Sequence, residues 1–162
     1  MHSTPHAKNP STQSPTLVAK GTFDLVLQPQ TLSQPGTNAG LSRLSIDKAL
    51  SGDLVGVSHG EMLAYRMDAL GSAGYVAMEK VQGTLHGRSG SLVFQHSATM
   101  DRSVPTQCIT VVPDSGTGEW EGIGGSFTIS IVRGLHFYEF AYWWGCHIDR
   151  KLGSPTPTHT PN

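Results

Sequence analysis

The chain has 162 residues, 14% of them charged and 37% hydrophobic, with 19 Gly, 10 Pro and a formal net charge of −1. So balanced a charge leaves no surplus to grip a phosphate backbone, and nucleic acid is not an expected partner. No apolar run approaches the roughly eighteen residues of a membrane helix, and the first residues lack the apolar core of a signal peptide; the expectation is a soluble, cytoplasmic protein with no membrane partner.

Residues 1–16 carry three prolines and no large aliphatic side chain after the initiator, so nothing there offsets the entropy of ordering. The end, 153–162 (GSPTPTHTPN), repeats that composition. Both are expected to be disordered tails around a single folded domain, 17–152. Cys108 and Cys146 fit neither a disulfide framework nor a zinc site and read as reduced, partly buried small hydrophobes. The run Cys146-His147-Ile148-Asp149 has no second cluster to complete a metal shell, so no metal and no cofactor are expected.

Within the body the dominant period is two. The first predicted strand is 19–27, where Phe23, Leu25 and Leu27 alternate with Thr22, Asp24 and Val26. The stretch 28–40, with two prolines and two glycines, reads as a long loop. Strands 41–50 and 53–65 follow, joined by a tight turn at Ser51-Gly52 into an antiparallel hairpin. After a turn at 68–72, strand 75–83 leads through HGRSG (86–90) into strand 91–99. A sixth strand, 107–112, stops at Pro113, and 113–125 reads as a Gly-rich irregular stretch. Strand 126–132 then pairs through Arg133-Gly134 with 136–144. No segment carries a capped 3.6-residue apolar stripe, which argues against a parallel sheet with crossover helices. Eight sequential strands and short turns predict an all-β fold, an eight-stranded antiparallel up-and-down barrel of lipocalin-like architecture, with a sandwich as the alternative.

The blocks GDLVGVSHGEML (52–63), YVAMEKVQGTLHGRSGSLVFQHSATM (75–100) and VVPDSGTGEWEGIGG (111–125), with GTF at 21–23, resemble the bacterial domain-of-unknown-function family 3224. That family is similar in architecture to allene oxide cyclase, an eight-stranded barrel enzyme that works without a cofactor. The resemblance implies a barrel whose apolar lumen opens at one end. It implies no particular reaction, and no catalytic role is carried over from the plant enzyme.

Such a barrel is just filled by side chains or leaves room for one small ligand, so polar residues on apolar strand faces are the candidates. Lys48 shares a face with Leu44, Ile46 and Leu50. Glu61 shares one with Val57, His59, Leu63 and Tyr65, and Glu79 one with Tyr75, Ala77 and Val81. A lone buried ion costs several kcal/mol, so these three are expected to pair if they point inward. In the catalytic reading one carboxyl, raised in pKa by apolar surroundings, acts as general acid or base while Lys48 or Tyr65 orients a substrate oxygen. In the other the cluster is a structural ion pair, or the parity is reversed and the charges face water. Glu79→Gln is expected to leave folding intact and alter ligand binding.

Gln95 and His96 are neighbours, so only one can face inward, and the bulk of Leu92 and Phe94 favours His96. Glu61, Glu79 and His96 are the candidate catalytic residues; Lys48, Tyr65, Tyr75, Phe94, Gln95 and Tyr138 are the candidate ligand contacts. Glu119, Trp120 and Glu121 lie in the Gly-rich stretch, which reads as a structural loop, with a lid or rim near the barrel mouth as the alternative. The last strand is aromatic on both faces, Tyr138 and Phe140 on one and Phe137 and Trp143 on the other, which predicts a homo-oligomer covering the outer face. Two functions fit: a cofactor-free cyclase, isomerase or lyase acting on a small apolar or amphipathic molecule in the lumen, or a lipocalin-like protein that binds such a molecule without turning it over.

Overall fold

The computed structural model describes residues 15–145. Residues 1–14 of the expected N-terminal tail, the whole C-terminal tail and the Cys146-His147-Ile148-Asp149 run lie outside these. Nine strands form one sheet: β1 (Leu17–Gln30), β2 (Ser42–Gly52), β3 (Leu54–Met67), β4 (Ser72–Leu85), β5 (Arg88–Asp101), β6 (Val104–Val111), β7 (Thr117–Gly118), β8 (Ile123–Val132) and β9 (Leu135–Trp144). Eight of them pair antiparallel in a ring, β4-β3-β2-β1-β9-β8-β6-β5, which the β4–β5 ladder closes. The ninth, β7, is a two-residue strand against Gly90 and Ser91 inside the stretch read as irregular. The predicted barrel is therefore the observed one. Among the described residues no helix is long and apolar enough to cross a membrane.

Three of the hairpins have two-residue turns with both central residues at positive φ: His86-Gly87, Arg102-Ser103 and Arg133-Gly134. That is the turn whose twist matches two right-handed strands. The β2–β3 corner falls at Asp53, with Gly52 at φ 106°. The Asp53 carboxylate there accepts from the Lys20 backbone N–H at 2.9 Å.

The loop expected over 28–40 is shorter than its prolines suggest. β1 continues through Pro29, which pairs with Leu44. The ladder from β1 to β9 ends at Phe23, so beyond that point one edge of β1 is free and a missing N–H costs no ladder bond. The remainder contains one helical turn, α1 (Gln34–Asn38), capped by the Ser33 side chain.

The two ends of the barrel differ. At the end carrying the Asp53 corner and the His86-Gly87 turn, Trp120 is fully buried with its indole N–H donated to the Arg88 carbonyl at 2.8 Å. Above it Phe94, Phe127, Phe140 and Tyr142 interlock at ring separations of 4.9 to 5.9 Å, an aromatic plug. The opposite end, with the turns at Arg102-Ser103 and Arg133-Gly134, is open.

The weakest seam is β6–β8, where the ladder holds a single register pair, Thr110 with Ser126. The Gln107 side chain spans the gap, its Oε1 accepting from the Ile129 N–H at 2.7 Å. Gln107→Leu is expected to cost about 0.5–1.5 kcal/mol in urea unfolding and to speed hydrogen exchange at Ile129 selectively. Unchanged exchange there would show that the side chain does not close the seam.

Candidate functional site

β2, β4 and β5 each send one polar side chain into the middle of the barrel. Lys48, Glu79 and His96 are 6%, 2% and 3% exposed. The Lys48 ammonium donates to Glu79 Oε1 at 2.9 Å and stands 2.9 Å from Oε2. Its other side lies over the Phe23 ring, 4.8 Å from the centroid. His96 Nε2 stands 3.6 Å from Glu79 Oε1, beyond hydrogen-bond length, and has no other partner.

Strand register explains the convergence. Lys48 pairs with Ser58 of β3, and Glu79 pairs with Gly60 two residues further along that strand. On the other side Glu79 pairs with Phe94 and Ala77 with His96, which makes Glu79 and His96 diagonal neighbours. β3 passes between lysine and glutamate, so the residue opposite Glu79 must be small. A Cβ on Gly60 would come within 2.6 Å of the Glu79 Cβ and 2.2 Å of the Met78 carbonyl oxygen. Ser58, fully buried in the same layer, has an Oγ without a partner.

Burial by itself raises the Glu79 carboxyl, but the neighbouring His96 ring and the Lys48 ammonium outweigh it and hold the group below its ordinary value of 4.5. The expected raised carboxyl is thus corrected. Glu79 is held as an anion inside the barrel. The Tyr75 phenol goes the other way, raised by burial and then by the Glu79 charge, so it remains a hydrogen-bond donor at neutral pH.

Lys48 and His96 of the cluster lie at the floor of a recess of about 340 Å³ that runs to the open end. Phe23, Leu25, Ile46, Met62 and Ile129 supply apolar wall; Lys48, Tyr75, His96 and His136 line it too, and no carboxylate does. His136 stacks on Phe23 at 5.1 Å. Phe23, Met62 and His136 were not among the sequence-derived contacts, although the face shared by Phe23 and Leu25 already pointed to the first.

The other candidates fall elsewhere. The parity read for β3 is reversed: its inward residues are Leu54, Ser58 and Ala64 with Gly56, Gly60 and Met62 between, and the bulky Val55, Val57, Leu63 and Tyr65 face out. Bulk misled because the narrow lumen needs small residues on this strand. Glu61 accordingly lies on the outer wall, held by Arg43 at 2.6 and 2.9 Å, and Tyr65 is exposed with its hydroxyl toward the Met67 sulfur. Gln95 faces outward, as the inward choice of His96 requires. Phe94 belongs to the aromatic plug. Tyr138 lies there too, its hydroxyl accepting from the Leu54 N–H at 2.9 Å and directed at the Ser51 and Leu54 carbonyls. Neither lines the recess. Cys108 is exposed on β6, not partly buried.

A wider groove of about 1190 Å³ runs along the outer wall beside α1, past Arg43, Glu61, Leu63, Val76 and Met78. Its charged pair is mutually satisfied and solvent-facing, whereas the lumen holds buried titratable groups with unspent hydrogen-bonding capacity. The lumen is the stronger candidate.

A closed barrel, plugged at one end and open at the other onto a buried Lys-Glu-His cluster, defines a lumenal β-barrel protein. Residues 19–142 match the family described as Protein of unknown function (DUF3224), and the chain belongs to that family. Among solved structures it is similar to a crystal structure of a protein with unknown function from the DUF3224 family from Shewanella oneidensis MR-1. The two are 41% identical, with a TM-score of 0.76, covering 82% of this chain and 99% of that one. No curated protein matches the chain.

Proposed function

We propose that the protein takes a small amphipathic molecule into the open half of its barrel and sets the molecule's polar end against Lys48 and His96. The observation that carries this reading is the position of a buried ion cluster at the floor of an apolar recess that opens to solvent. Apolar walls supply binding, and the absence of any carboxylate from the lining selects an electron-rich oxygen, such as a carbonyl, enol or phenol, as the group facing the floor. His96 exchanges a proton with the ligand, Glu79 steadies the imidazole as it gains charge, and the Lys48 ammonium and Tyr75 hydroxyl support negative charge building on oxygen. The chemistry this supports is cofactor-free proton transfer, of the isomerase, cyclase or lyase type, in a barrel of the allene oxide cyclase-like kind.

The alternative is a non-catalytic binding barrel, favoured by the tightness of the Lys48–Glu79 pair, which a purely structural role would also produce. N-phenyl-1-naphthylamine, whose fluorescence rises in apolar surroundings, tests the site both readings share. The expected result is one-to-one binding that Ala98→Trp, which fills the recess, weakens more than about tenfold. No binding, or binding indifferent to Ala98→Trp, would overturn the site. Catalysis separates from storage with a ligand recovered by native mass spectrometry. His96→Gln should retain the ligand and lose its turnover, and equal fates for the ligand in both proteins would favour the carrier.

A further inference from the structure

The open end of the barrel is apolar on its outside as well as its inside. Val104, Leu135 and Leu70 are 65%, 61% and 58% exposed, and Met67 and Val132 add to them, while Ile131 at the lip turns inward and lines the recess. These residues sit on three hairpins around one mouth, which gathers at one rim what would be unremarkable as scattered surface side chains. The same turns carry Arg66, Arg102 and Arg133 against Asp68 and Asp101, and Asp68 is occupied by Arg66 at 3.1 Å. At the plugged end the balance is opposite: Asp53, Asp114, Glu119 and Glu121 stand against Arg88. Among the described residues the mouth turns therefore carry a surplus of one positive charge beside their apolar tips, and the far end is acidic.

From this arrangement we propose that the mouth docks on an anionic lipid surface, with the aliphatic hairpin tips entering the headgroup boundary and Arg102 and Arg133 facing lipid phosphates. The charge gradient orients the barrel mouth-down, and the apolar rim continues into the apolar lumen, so a ligand dissolved in the lipid could pass to the recess without crossing water. A second copy fits the same rim less well. Twofold mouth-to-mouth pairing would bring two arginine-bearing rims of the same sign together. Docking stands independently of whether the lumen binds a ligand.

The test is flotation of the full chain with vesicles of phosphatidylcholine, with and without phosphatidylglycerol, at low and high salt. The expected result is association with the anionic vesicles that salt weakens. Arg133→Glu removes one favourable charge and adds an unfavourable one. At about 1 kcal/mol per charge, it should weaken binding by roughly thirtyfold. Val132→Ser with Leu135→Ser should weaken it more than about tenfold, with an unchanged melting temperature because both positions are exposed and neither lines the recess. Ala98→Trp should float like the parent, which separates this surface from the lumenal site. Failure to float, or flotation untouched by both rim variants, would overturn the proposal. So would a gel-filtration dimer that the rim variants dissociate without any vesicle binding, since the rim would then be an interface between copies.

Discussion

Glu79→Gln is expected to destabilise the protein by about 3–5 kcal/mol, the cost of leaving Lys48 as an uncompensated buried cation. Both partners are almost fully withdrawn from water, with the ammonium in contact with the carboxylate and the Phe23 ring. Removing the anion strands the cation with only the ring face for company. The sequence alone suggested that this variant would fold normally; the pairing leads to the opposite expectation, because each ion is almost fully buried against the other. Replacing both partners at once, Lys48→Met with Glu79→Leu, should recover most of the loss, since the desolvation penalty goes with the attraction. Urea unfolding of the two single variants and the double one measures the coupling directly. Equal destabilisation by the single and double variants would show that the pair contributes nothing beyond packing.

The same carboxylate sets an acid limb. Its native value is depressed, so its stabilisation is fully present above the ordinary value of 4.5 and is lost as pH falls through the lower native value. Urea midpoints of the parent should therefore decline below about pH 4.5 more steeply than those of the Lys48→Met, Glu79→Leu protein.

Trp120→Ala is expected to cost a comparable 3–5 kcal/mol by a different route. The indole is wholly buried and its N–H is satisfied by the Arg88 carbonyl. The surrounding backbone is shaped to it: a Cβ on Gly90 would meet the Trp120 Cγ at 2.7 Å, and one on Gly116 would meet the Trp120 carbonyl oxygen at 2.0 Å. Truncation leaves a cavity under the aromatic plug and an orphaned carbonyl, and the tightly built loop cannot collapse into the space. The check is the urea midpoint together with loss of the most buried component of tryptophan fluorescence. A shift below about 1 kcal/mol would mean that the loop is not the plug.

Strand alternation was legible wherever inward residues were larger than outward ones. On β1, β4 and β5 the side chains of Phe23, Glu79 and His96 have the facing their apolar neighbours suggested. On β3 the rule inverted, because the positions beside Lys48 and Glu79 hold only Ser58 and Gly60 while Val57 and Tyr65 stand outside. That single inversion moved Glu61 and Tyr65 off the site. Pairing between Lys48 and Glu79 was foreseeable from the cost of a buried ion. The sign of the Glu79 shift was not, since it depends on the spacing to His96 across the β4–β5 ladder, which no single strand encodes. The plugging role of Trp120 was equally hidden: a Gly-rich run reads as a loop, and only the fold shows it tucked into a barrel end.

We place the proposed binding surface in the lumen and not in the larger groove outside. The most direct measurement is a methyl and imidazole NMR titration of the labelled protein with N-phenyl-1-naphthylamine. Shifts concentrated at Leu25, Ile46, Ile129 and the His96 ring would place the probe over the ion cluster, as predicted from the lining of the recess. Shifts confined to Leu63, Val76 and Met78, with His96 unmoved, would place it on the outer wall and contradict the claim.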